Sequence, residues 1–147
     1  MGRNEMDYID SVSQIEKDLR YISGILKQKG REILSDYRIT PPQFLALQWL
    51  YEEGDMTIGE LSAKMYLAFS TTTDLIDRME KTSLVKRVKN DQDRRVVRIH
   101  LLEEGERLVG QVLEKRKIYL QGLLKDYSPL DVLKLQTSLT RLHHGMR

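Results

Sequence analysis

The chain has 147 residues, 40% hydrophobic and 31% charged, which suits one domain or a small domain with extended arms. It has no cysteine, which excludes disulfides, thiolate metal sites and cysteine-based redox switching; no apolar run approaches the roughly 20 residues that span a bilayer, so no membrane partner is expected. Net charge is only +2, yet Leu84 to His100 holds six basic residues (Lys86, Arg87, Lys89, Arg94, Arg95, Arg98) against Asp91 and Asp93, so this strip carries +4 and the remainder −2. A basic strip on a near-neutral body is the footprint of phosphate binding.

The N-terminal MGRNEMDYID is polar and acidic, unlike a secretory signal, and the expected location is the cytoplasm. From about Asp7 to Ser35, Tyr8, Val12, Ile15, Leu19, Ile22 and Leu26 recur at steps of 4, 3, 4, 3 and 4, a heptad-like seam on one long helix. Thr40-Pro41-Pro42-Gln43 is a capping box with proline in the first turn, opening a helix that carries Phe44, Leu47 and Leu50 and stops near Gly54. Thr57-Ile58-Gly59-Glu60 repeats the box and opens a short helix carrying Leu61 and Met65. A third helix is expected from a Ser70 cap to about Thr82.

At Val85 the period changes. Val85 to Val88 and Val96 to Leu101 are β-branched and roughly alternating, and Asn90 to Arg95 between them is a polar turn, so this stretch reads as a hairpin with a charged tip. Two helices close the chain, one from about Glu103 to Lys125 and one opening at Ser128-Pro129-Leu130-Asp131. The fold class is therefore mainly α with a small β-hairpin wing: a winged helix-turn-helix with long terminal dimerisation helices. The expected division is an N-terminal dimerisation helix at 1–36, a DNA-binding domain at 37–102 and C-terminal dimerisation helices at 103–147. The apolar seams of the terminal helices exceed what a monomer of this size covers, and a second copy is the simple remedy.

In such a fold the second helix of the helix-turn-helix enters the major groove by its N-terminal end. Here that end is Ser70-Thr71-Thr72-Thr73-Asp74. Hydroxyls bond phosphates and base edges, and threonine methyls pack on thymine; capping needs one hydroxyl, not four. Helical arithmetic turns Thr72, Leu75, Ile76 and Met79 inward and leaves Ser70, Thr71, Thr73, Asp74, Asp77 and Arg78 outward or flanking. Arg94 and Arg95 at the hairpin tip suit the minor groove. The DNA-binding set is thus Ser70, Thr71, Thr72, Thr73, Asp74, Arg78, Arg87, Arg94 and Arg95, with Asp93 and Asp77 orienting the wing. Double-stranded DNA is the expected partner.

Enzymatic chemistry lacks its parts. There is no Gly-rich phosphate loop, no HExxH and no convincing serine–histidine–carboxylate set. The histidines are His100, His143 and His144, and the adjacent pair points in different directions on a helix, so neither a metal nor a cofactor is expected.

Leu75-Ile76-Asp77-Arg78-Met79-Glu80, Leu84-Val85-Lys86-Arg87, Asp91-Gln92-Asp93-Arg94-Arg95-Val96-Val97, and Leu101 with Glu104-Gly105 follow one another in an order that resembles the MarR family of bacterial regulators. Thr40-Pro41-Pro42-Gln43-Phe44 also matches the family's usual opening of its second helix. Two positions depart from the pattern. Ser83 stands where the family has glycine after the recognition helix, which implies a left-handed cap that is strained or arranged differently, and Leu102 replaces a capping threonine. The resemblance implies a homodimer joined by its terminal helices on a palindromic operator, with an effector pocket between those helices and the DNA-binding lobe. It implies a repressor released by a small lipophilic compound; the cysteine sensing of some relatives has no counterpart here. Tyr21, Tyr37, Trp49 and Tyr51 are the aromatic candidates for that pocket, although aromatics at helical spacing are more often core.

Overall fold

A computed structural model describes residues 2–147. The element order is α1 (Arg3–Ser35), α2 (Pro41–Glu53), β1 (Met56–Thr57), α3 (Ile58–Met65), α4 (Phe69–Lys81), β2 (Val85–Lys89), β3 (Val97–Leu101), α5 (Glu103–Leu124) and α6 (Pro129–Gly145). The molecule is mostly helical with one small antiparallel sheet, as the periodicities require. It divides into two compact units, Met1–Val112 and Leu113–Arg147.

Local chemistry accounts for the helix starts of the first unit. The Thr40 side chain accepts from the Gln43 amide at 3.3 Å while the Gln43 side chain accepts from the Thr40 N–H at 3.0 Å, closing a reciprocal box ahead of α2. Thr57 and Glu60 repeat the exchange at 3.1 and 3.3 Å ahead of α3. Helix α2 ends at Gly54, whose φ of 84° is open to glycine at little cost. Helix α4 starts two residues earlier than the sequence suggested, with its cap at position 68 and not at Ser70. Its cap is Ala68, whose methyl can accept no hydrogen bond, and within the helix the hydroxyls of Thr72 and Thr73 turn back to the carbonyls of Ala68 and Phe69 at 3.1 and 3.0 Å.

The sheet has three strands in the order β1-β3-β2, not the two of a bare hairpin. Val85 pairs with Leu101 and Lys89 with Val97, while Met56 and Thr57 pair with Ile99 and Arg98 on the other edge of β3. The two-residue β1 covers the wing's inner edge and ties it to the start of α3.

The core is built from Phe44, Ala46, Leu47 and Leu50 of α2, Leu61 and Met65 of α3, Ile76 and Met79 of α4, Met56, Val85 and Ile99 of the sheet, and Leu108, Val109 and Val112 of α5. Ile33 and Leu34 bring the end of α1 into contact with it. The remaining face of α1 is uncovered: Tyr8, Val12, Ile15, Ile22 and Leu26 are all exposed. In the second unit α6 buries none of its residues, and Val132, Leu135, Leu139, Leu142 and Met146 lie exposed at heptad spacing. Among the described residues no helix is long and apolar enough to cross a membrane.

Candidate DNA interface

Packing of Thr72, Ile76 and Met79 fixes the rotation of α4 and turns the opposite face outward. Ser70, Thr71, Asp74 and Arg78 are exposed on it, and Thr73 is half-buried at its edge. The hydroxyls of Ser70 and Thr71 have no intramolecular partner among the described residues, so both are free to donate and accept. Thr72 is a correction. It is fully buried and its hydroxyl is used within the helix, so it packs the core and is no contact residue; the inward arithmetic for position 72 describes it better than its place in the hydroxyl run.

The wing is held by its own short-range bonds. Asn90 Oδ1 accepts from the Gln92 amide at 2.8 Å, and the Asn90 and Val96 main chains close the turn at 2.9 Å. Asp93 accepts from the backbone N–H and from Nε of Arg95, both at 3.1 Å. These side-chain and backbone bonds hold the Asp93 carboxyl below the usual carboxylate range. Arg95 nonetheless keeps 92% of its side chain exposed, and Arg94 beside it is exposed too. The tip therefore offers two guanidiniums, one of them pre-aimed by an acid.

Arg87 is the second correction. Along β2 it shares the inward face with Val85, two residues back. Its guanidinium bonds Asp77 at 2.6 Å and Glu80 at 2.9 Å, and Glu80 also accepts from the Arg87 backbone N–H at 3.0 Å. Burial lowers the Arg87 pKa, but the bonds and charges of Asp77 and Glu80 outweigh it and hold the group above its ordinary value. Arg87 thus ties β2 to α4, and its guanidinium is engaged by two acids instead of standing free like those of the tip. Asp77 is one of the two acids that hold it. Glu80 was missed from the sequence, although it lies three residues after Asp77 on the same helix edge.

The aromatic candidates do not converge. Tyr21 is exposed on α1, with Lys17 and Arg20 about its ring at 5.8 and 5.9 Å. Trp49 and Tyr51 are two residues apart on α2 and so face different sides. Lys64 lies 5.0 Å from the Trp49 ring centroid, and Tyr51 is exposed. Tyr37 is half-buried just after α1. Among the described residues no cluster of three or more His, Asp or Glu could hold a metal ion.

The geometry of α4 and the wing is that of a winged helix-turn-helix, and comparison with known proteins agrees. The profile described as MarR family matches residues 39–97. The HTH-type transcriptional regulator YsmB of Bacillus subtilis is 60% identical over 139 residues, covering 95% of both chains. The chain belongs to the MarR family. The organic hydroperoxide resistance transcriptional regulator of Bacillus subtilis is 30% identical over 95% of this chain and 93% of its own length. Among solved structures, a MarR family protein from Bacillus stearothermophilus is similar, with a TM-score of 0.89 and 55% identity, covering 93% of this chain and 96% of that one. Membership makes the protein a DNA-binding transcription regulator and not an enzyme.

Proposed function

We propose that this MarR-family protein represses transcription by binding a palindromic operator as a homodimer, in the cytoplasm where the operator lies. Residues 37–102 would carry the DNA contacts, and the terminal helices on either side would join two copies. The observation that carries the reading is the free front of α4, Ser70, Thr71 and Asp74 with Arg78 behind them, beside a wing that presents Arg94 and Arg95. The first set suits the major groove and the second the adjacent minor groove. Release by a small lipophilic effector belongs to the same reading, and Tyr37, half-buried just after α1, is the residue from which to test it.

The test is binding to the duplex that the protein selects from its own upstream region. Arg95→Ala is expected to weaken binding about tenfold and to lower the salt slope of log K by about 0.9 for one lost phosphate neutralisation, with an unchanged melting temperature. Unchanged affinity would remove the wing from the interface.

A further inference from the structure

The helix-turn-helix carries two aromatic side chains that its own packing leaves unused. Tyr66 follows α3 with φ 55° and ψ 39°, left-handed for a bulky residue. The turn needs that conformation, since the Leu67 N–H reaches the Ser62 carbonyl at 3.1 Å, but it does not need tyrosine. Glycine would serve there without strain. Nor does the ring repay the strain by packing: Tyr66 is 95% exposed. Phe69, three residues on, is the first residue of α4 and is 62% exposed. These are the two most exposed large apolar side chains between residues 37 and 102.

We propose that this pair extends the DNA-reading surface, Phe69 resting on a thymine methyl and the Tyr66 hydroxyl donating to a neighbouring phosphate. The proposal rests on the DNA-binding reading of α4. Continuity selects DNA as the occupant, because Phe69 directly precedes the free hydroxyls of Ser70 and Thr71 in the turn that would enter the groove first. The major groove offers one exposed apolar group per A·T pair, the C5 methyl of thymine, which a phenyl ring suits and an arginine does not. Tyrosine hydroxyls serve widely as phosphate donors. A strained, solvent-exposed tyrosine is then explained by what it does when bound, with the strain held by the surrounding fold.

The experiment selects duplexes from a random-sequence DNA pool with the wild-type protein and then replaces thymine by uracil one position at a time, which deletes the methyl and leaves pairing intact. The wild type is expected to lose about fourfold in affinity at one or two thymine positions per half-site, the worth of one buried methyl group. Phe69→Ala should bind more weakly and lose that uracil sensitivity, while melting as the wild type does. Tyr66→Phe should weaken selected and unrelated duplexes alike, by about tenfold or more for one hydrogen bond to a charged phosphate. Tyr66→Gly should raise the melting temperature by a few degrees and still bind more weakly, opposite signs that a merely structural tyrosine would not give. Phe69→Ala with wild-type affinity and an unaltered uracil profile would overturn the base contact, and wild-type binding by both Tyr66 variants would overturn the phosphate contact. A change in sedimentation by Phe69→Ala would assign the patch to a second copy and likewise overturn the proposal. Failure of the wild type to enrich any duplex would instead bring down the DNA reading on which it stands.

Discussion

Leu84 follows the recognition helix, and its backbone joins that helix to the wing and to α5. Its N–H donates to the Met79 carbonyl at 2.9 Å and the Ser83 N–H to Glu80 at 3.1 Å, the paired bonds of a Schellman ending. Its carbonyl accepts from Leu102 at 3.0 Å, and a Cβ on Gly105 would stand 2.5 Å from that same oxygen. Ser83 holds the left-handed position with φ 60°, the strained alternative that the resemblance left open. The two substitutions Ser83→Gly and Gly105→Ala should therefore act in opposite directions in one thermal melt. The first removes a left-handed Cβ and should stabilise by about 1 kcal/mol, raising Tm by about 3 °C. The second forces a Cβ into backbone that cannot retreat and should destabilise by about 1–3 kcal/mol. Ser83 was legible through the resemblance to a family that has glycine at that position, and its strain is its own. Gly105 was not, because the oxygen it avoids lies 21 residues earlier in the chain.

Between elements, the tie of β2 to α4 decides how the wing is aimed. Arg87 with Asp77 and Glu80 makes two partly exposed ion pairs and a main-chain bond, worth about 1 kcal/mol after solvent screening. If Arg87 acts by position, Arg87→Ala should weaken operator binding several-fold and leave the salt slope unchanged, because a lost phosphate contact would instead lower it by about 0.9. In an Asp77→Asn, Glu80→Gln background the same change should cost much less, a coupling that a double-mutant cycle reads directly. A reduced slope, or equal losses in both backgrounds, would return Arg87 to the phosphates. Legibility at this scale followed sequence distance. The boxes of Thr40 with Gln43 and Thr57 with Glu60 close over three residues and were plain. The cap of α4 was misread because its true cap, Ala68, has no side chain that can bond, so the hydroxyl of Ser70 just inside the helix drew the reading instead. Strand β1 is two residues long and exists by pairing across to Ile99 and Arg98, so no local pattern announces it.

For the whole molecule the open question is what covers the seams. The heptad reading of α1 was made from spacing alone, and the structure leaves that seam bare, with Tyr8 71% and Ile15 52% exposed. On α6 no residue is buried, and Leu135, Leu139 and Leu142 are exposed. Apolar seams of this length in water favour a second copy. Two copies also meet a geometric need, since paired recognition helices read half-sites about 34–36 Å, one helical turn, apart. Leu139→Asp with Leu142→Asp changes exposed positions only, so the winged-helix unit should stay folded by circular dichroism. Sedimentation should shift from dimer to monomer at micromolar concentration. Operator affinity should fall by about 10²–10⁴-fold, because the second half-site is no longer bound at the effective concentration its tether supplies. A folded variant that sediments as a monomer yet protects both half-sites with wild-type affinity would show that DNA binding does not depend on pairing through α6, whereas a variant that remains dimeric would move the subunit contact elsewhere, with the bare seam of α1 the next surface to cut.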